Sequence, residues 1–230
     1  MPMFGRDCPS VASQTRDMAR TVSHDREYVP GLGRGFLTPL YDVVHRVFGV
    51  GRLHQLMIGL ADPQPGMRVV DIGCGTGNLL VALARQRPGL DLAGLDPDER
   101  ALARAGRRSR RARLSVDWRR GFAQELPYPD GSVDRVFSSL MLHHLDDASK
   151  DDLLAEVGRV LRPDGILVLA DLDGHDAHRG HGLGRHLRRR SIAATNTEMV
   201  ERIEGSGFET EPPTAYPLAG LSITVVTAHP

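Results

Sequence analysis

Short apolar runs alternate with stretches where apolar side chains recur every third or fourth position, and this alternation continues from residue 67 almost to the C-terminus. "MRVVDI" (67–72) reads as a buried strand, and "GNLLVALARQRP" as an amphipathic helix stopped by Pro88 and Gly89. "LDLAGLD" (90–96) is a second strand. "PDERALARAGRRSRR" follows it, with proline and acids at its start, as a helix N-terminus favours. "ARLSVDW" (112–118), "SVDRVFSSLML" (132–142) and "GILVLADL" (165–172) read as further strands, with the helix "SKDDLLAEVGRVLRP" between the last two. A helix over "NTEMVERIEGSGF" with a glycine cap precedes a last strand, "LSITVVTA" (221–228). Strand and helix in regular turn predict an α/β fold, a parallel sheet covered by helices on both faces.

The pattern changes upstream. In "FLTPLYDVVHRVFGVGRLHQLMIGLA" (36–61), Leu40, Val43, Val44, Val47 and Phe48 recur at helical spacing, which predicts one or two amphipathic helices. Residues 1–35 are polar and close on Pro30, Gly31, Gly33 and Gly35, so an N-terminal arm or lid is expected there, with the main domain over 36–230.

Bulk composition narrows the classes without choosing among them. The 230 residues suit one domain of ordinary size, and a formal charge of zero advertises neither nucleic acid nor an anionic membrane. Two cysteines, Cys8 and Cys74, cannot make a disulfide framework, which suits a reducing compartment. No run reaches the ~18 apolar residues of a membrane span, and "MPMFGRDCPSVASQTRD" lacks the basic start and apolar core of a signal peptide. A cytoplasmic protein is the expectation.

Chemistry first shows in "VVDIGCGTGN" (69–78), where Gly73, Gly75 and Gly77 fall in the turn between the first strand and its helix. Glycine loses more backbone freedom on folding than any other residue, so three so close need a reason. Open α/β sheets bind ligands at such turns, and a helix start offers N–H groups to a negative group. Asp96 ends the second strand 19 residues after Gly77, where a carboxylate can accept both hydroxyls of a ribose. Glycine loop and acidic strand end together point to an adenosine-type ligand, and the spacing departs from the dinucleotide fingerprint, which needs a glycine where Asn78 stands.

"VVDIGCGTG", "GLDPDE", "GFAQELPYPDGSVDRVFSSLMLHHL" and "LLAEVGRVLRPDGILVLAD" together resemble the class I S-adenosylmethionine-dependent methyltransferases, in the quinone-biosynthesis-like, small-molecule branch. The resemblance runs from about residue 36 to 228, and implies a Rossmann-like seven-stranded, mostly parallel sheet whose last strand is antiparallel. It implies S-adenosyl-L-methionine as cofactor. Carried over position by position, Gly73, Gly75 and Thr76 line the methionine part, with Asp71 ordering the loop. Asp96 holds the ribose and Pro97 lies against the adenine; Phe122 and Ala123 sit at the adenine edge, and Ser139 faces the cofactor. Tyr41 approaches the cofactor carboxylate. Phe122 departs from relatives that carry Asp there, so the adenine amino group must be met by backbone, by Gln124 or by stacking.

His143 and His144 in "MLHHLDD" follow the fourth strand on the same edge, and an imidazole is a natural base for a hydroxyl or an acidic carbon. Either could instead be structural. Asp146 and Asp147 could orient an imidazole or cap the helix that follows. His175, His178 and His181 are spaced three apart among Asp171, Asp173 and Asp176, but on a glycine-rich loop that matches no metal pattern, so no metal is expected. Nine arginines between Arg100 and Arg120, with "RHLRRR" at 185–190, raise an RNA reading. No aromatic platform accompanies them, and a solvated helix face explains them better.

The expectation is methyl transfer from S-adenosylmethionine to oxygen or carbon of a small organic molecule. Nucleic acid is disfavoured as a partner, no membrane is involved, and a homodimer is allowed. Two alternatives stand beside it: a cofactor-binding protein or cyclase-type catalyst that transfers no methyl group, and an RNA methyltransferase.

Overall fold

The computed structural model describes residues 49–172 and 197–230. Helix α1 (Val50–Ala61) leads into β1 (Arg68–Ile72), α2 (Asn78–Gln86), β2 (Asp91–Asp96) and α3 (Glu99–Ala112). Then come β3 (Asp117–Arg120), β4 (Val133–Ser139), a 3₁₀ turn at Leu142–His144, α4 (Asp147–Val160) and β5 (Leu161–Leu172). The chain closes with α5 (Thr197–Gly205), β6 (Glu209–Thr210), β7 (Thr214–Leu218) and β8 (Leu221–His229).

The strands form one sheet in the order β3-β2-β1-β4-β5-β8-β6, with β7 also paired to β8. Pairings from β3 through β5 are parallel, and β8 runs antiparallel to β5. β7 pairs with Leu221–Val225 of β8 and β6 with Ala228–His229. The two pieces therefore fill one edge position, and the sheet has the seven positions expected. The edge is broken at Pro212 and Pro213, which have no N–H to give a ladder.

Strand alternation divides the core in two. Val136 of β4 joins Leu153, Leu154 and Val157 of α4 and Ile203 of α5 on one face. Phe137, one residue on, joins Leu53 and Met57 of α1 and Leu80 and Leu83 of α2 on the other. α3 packs through small residues, Ala101, Ala105, Gly106 and Ser109.

Three boundaries differ from the sequence expectation. α3 continues to Ala112, so β3 starts at Asp117 rather than 112. β4 stops at Ser139 because Leu140 takes a positive φ of 56°, and Leu142–His144 turns instead of extending. α4 ends at Val160, since Pro163 biases the residue before it away from helical backbone, and β5 begins there. No described helix is long and apolar enough to cross a membrane. The proposed boundary at residue 35, and the arm before it, lie outside the described residues.

Candidate active site

The glycine loop folds back on the end of β2: the N–H groups of Gly73 and Cys74 both donate to the Leu95 carbonyl, at 2.8 and 3.0 Å. All three glycines have positive φ, 72°, 52° and 74°, which side chains rarely adopt. Their surroundings differ. A Cβ on Gly73 would lie 2.4 Å from Met141 Cγ, and one on Gly77 would lie 2.4 Å from the Trp118 ring and 3.0 Å from Ala105 Cβ. Among the described residues, a Cβ on Gly75 would meet nothing within 4 Å. Two of the glycines thus admit neighbouring side chains of the protein itself, and of the three only Gly75 has open space beside it among the described residues. Trp118 gave no signal in the sequence beyond its own rarity; it also packs against Gly94, and its indole N–H donates to Ser109 Oγ at 3.2 Å.

Asp96 stands beside that open space. Its Oδ2 accepts the Gly75 N–H and its Oδ1 the Asp98 N–H, both at 2.8 Å. Each oxygen keeps a lone pair for a further donor. Burial pushes its carboxyl above the usual range, against the pull of those two N–H groups. Asp71 is buried in β1 opposite Gly94 and Phe137, and burial, with Asp96 adding, pushes its carboxyl well up. The Asp96 carbonyl accepts the Gly121 N–H at 3.3 Å, which brings half-buried Pro97 and Phe122 to the same edge. Ala123 is buried in the core cluster beneath them. Ser139 ends β4 beside Ala170, and its buried Oγ has no hydrogen-bond partner among the described residues.

The histidine pair sits on the turn after β4, with ring centroids 4.0 Å apart. His143 Nδ1 lies 2.6 Å from Oδ1 of Asp171, a carboxylate only 2% exposed near the end of β5. Oδ2 of the same group accepts the His143 backbone N–H at 3.2 Å. With Nδ1–H donating, Nε2 is left as the basic nitrogen. Among the described residues His144 makes no such pair; partial burial and the neighbouring His143 hold its pKa below the usual value. Asp146 and Asp147 do not orient either ring. Asp146 caps α4 by accepting the Ser149 N–H at 2.8 Å, and Asp147 pairs with Lys150 and Arg202, both at 3.0 Å. Asp146 serves the N–H groups that lack partners at the start of α4 and Asp147 two cations, so Asp171 is the partner that sequence reading missed.

Tyr41 and the loop carrying His175, His178 and His181 lie outside the described residues. Among the described residues, no group of three or more metal-ligating side chains is gathered.

Residues 69–165 match the model of a methyltransferase domain family. The chain is 32% identical over 138 residues to demethylmenaquinone methyltransferase of Thermus thermophilus, covering 59% of this chain and 62% of that one. It is 36% identical over 124 residues to 27-O-demethylrifamycin SV methyltransferase of Amycolatopsis mediterranei, covering 52% and 44%. The chain therefore spans less than two thirds of the length of either relative. A S-adenosylmethionine-dependent methyltransferase structure from Aquifex aeolicus superposes with a TM-score of 0.61 at 18% identity, over 82% of this chain and 98% of that one; this likeness shows the fold. Over residues 69–165 the chain is thus similar to the methyltransferase domain family, on a fold shared with solved S-adenosylmethionine-dependent methyltransferases.

Proposed function

We propose that this protein transfers a methyl group from S-adenosylmethionine to an oxygen or carbon of a small organic molecule. The observation that carries the reading is the free side of Gly75 beside Asp96, on the sheet edge that also presents His143 and Asp171. The residues fit the cofactor. Gly77 gives α2 no side-chain cap, so the first N–H groups of that helix are available to the methionine carboxylate. Asp96 has lone pairs left for the ribose hydroxyls, and Ser139 Oγ is a buried polar atom with no partner among the described residues. Pro97 and Phe122 supply apolar surface for the adenine. When bound, S-adenosylmethionine supplies an activated methyl group on a sulfonium.

The protein has then to align the acceptor and take its proton. His143 Nε2 accepts that proton, and the buried Asp171 carboxylate fixes the ring tautomer and stabilises the resulting imidazolium. Burial strengthens that interaction, because a carboxylate in a low-dielectric site is little screened. His144 stays neutral and packs beside it.

The acceptors named for the relatives, a demethylated menaquinone and a demethylated rifamycin, support a hydroxylated ring or quinol as substrate class. The proposed location is the cytoplasm, which suits the reducing environment that its two cysteines imply. Incubation with S-adenosylmethionine labelled in the methyl group and a reduced naphthoquinone or polyphenol panel tests the reading. Label is expected in an acceptor, with S-adenosylhomocysteine formed in equal amount; no transfer to any of them counts against the substrate class.

A further inference from the structure

The arginines of α3 are not all alike. Arg107, Arg110 and Arg111 are exposed, as a solvated face requires, but Arg108 is half-buried and turns toward the glycine loop. Its Nη1 donates to the Thr76 carbonyl at 3.0 Å, to Thr76 Oγ1 at 3.3 Å, and to Asn78 Oδ1. Asn78 closes the ring by donating its Nδ2–H to Thr76 Oγ1 at 3.2 Å. Asn78 is the residue that stands where the dinucleotide fingerprint has glycine, so that departure now has a use.

Thr76 lies between Gly75 and Gly77, the two joints at which this loop has most backbone freedom. Gly75 is held from the β2 side, through its N–H on Asp96. Thr76 is held from the α3 side, through its carbonyl and hydroxyl. We propose that Arg108 is a positioning residue for the cofactor loop: with Asn78 it locks Thr76 so that Gly75 and the first turn of α2 face the methionine end of the cofactor in a binding-ready shape. This rests on the methyltransferase reading of the same site. Preorganisation of this kind lowers the entropy lost on binding and acts on affinity, not on the chemical step. Lysine keeps the charge but has no planar fork, so it replaces Arg108 only in part.

The test compares wild type, Arg108→Ala, Arg108→Lys and Asn78→Ala, with two readouts below the melting range. The first is S-adenosylhomocysteine binding by calorimetry. The Kd is expected to rise about tenfold or more in Arg108→Ala and less in Arg108→Lys, and Asn78→Ala combined with Arg108→Ala should add little to Arg108→Ala alone. In turnover, KM for S-adenosylmethionine rises while kcat holds. The second readout needs no ligand: amide exchange at 75–78 is expected to quicken in the unliganded variants while exchange in β1 and β4 is unchanged. If Arg108→Ala does not fold, Arg108→Lys and Asn78→Ala carry both readouts. Wild-type affinity and unchanged loop exchange in the folded variants overturn the proposal while the methyltransferase reading stands. Failure of the wild type to bind overturns that reading, and this inference with it.

Discussion

His143 Nδ1 and Asp171 Oδ1 meet at 2.6 Å, although 28 residues separate them in the chain. The histidine comes from the turn after β4 and the acid from β5, so parallel pairing of these two strands assembles the pair. Asp171→Asn keeps the shape of the site but loses the charge and frees the wrong tautomer. Turnover is expected to fall by about 10²–10⁴-fold, as on loss of a general base, with S-adenosylhomocysteine affinity nearly unchanged. His143→Ala should give a loss of similar size, and His144→Ala a smaller one. Steady-state kinetics beside calorimetry check all three; equal losses in both histidine variants would show that Asp171 does not single out His143.

Asp146 provides the contrast. Its carboxylate caps α4. Asp146→Ala is expected to cost about 1 kcal/mol of stability and to leave kcat near wild type. A thermal melt and one activity assay suffice, and a large loss of kcat with an unchanged melt would return Asp146 to the catalytic apparatus.

The three loop glycines should separate by alanine substitution. Gly77→Ala and Gly73→Ala each place a Cβ 2.4 Å from a neighbouring side-chain atom, and the Trp118 ring has less room to yield than the Met141 chain. Stability is expected to fall most for Gly77→Ala and less for Gly73→Ala. Gly75→Ala carries the strain of its positive φ alone, about 1–2 kcal/mol, yet should lose cofactor affinity because its methyl group enters the space the ligand needs. Melting temperatures and S-adenosylhomocysteine titrations on the three variants give the order directly.

Much of this site was legible because local rules agree with the fold around it. The glycines, Asp96 at a strand end and the alternating apolar runs each express a backbone requirement inside a short window. What escaped depends on distant pairing. Asp171 has meaning only once β4 and β5 lie side by side, and it was grouped instead with the neighbouring loop acids. Trp118 stood in a strand whose start was placed five residues early, so its approach to Gly77 and Gly94 could not be seen. The edge strand at 209–218 went unread because Pro212 and Pro213 break its pattern. The closeness of Met141 to Gly73 and of Trp118 to Gly77 likewise depends on distant pairing and shows in no short window.

Burial of Asp71 sets a pH dependence whose sign follows from its raised pKa. Below the ordinary carboxylate value of ~3.9, folded and unfolded chains are both protonated there. As pH rises past that value the unfolded chain releases the proton first, so the folded state holds more protons and this group's contribution to stability falls. The fall ends once the pH passes the raised folded value. Asp71→Asn removes the dependence, so its melting temperature minus that of wild type should grow with pH over that window and then level off. A difference that is constant from pH 4 to 8 would show that the buried carboxyl is not raised.

The central claim is that the open space beside Gly75 and Asp96 is the cofactor site of a methyltransferase. Titration calorimetry of S-adenosylhomocysteine against wild type and Asp96→Ala tests it most directly. The wild type is expected to bind one equivalent per chain, and Asp96→Ala to bind more weakly by about 1–3 kcal/mol, the cost of leaving the ribose hydroxyls unpaired. Absence of binding to the wild type, or equal affinity in both proteins, would contradict the account.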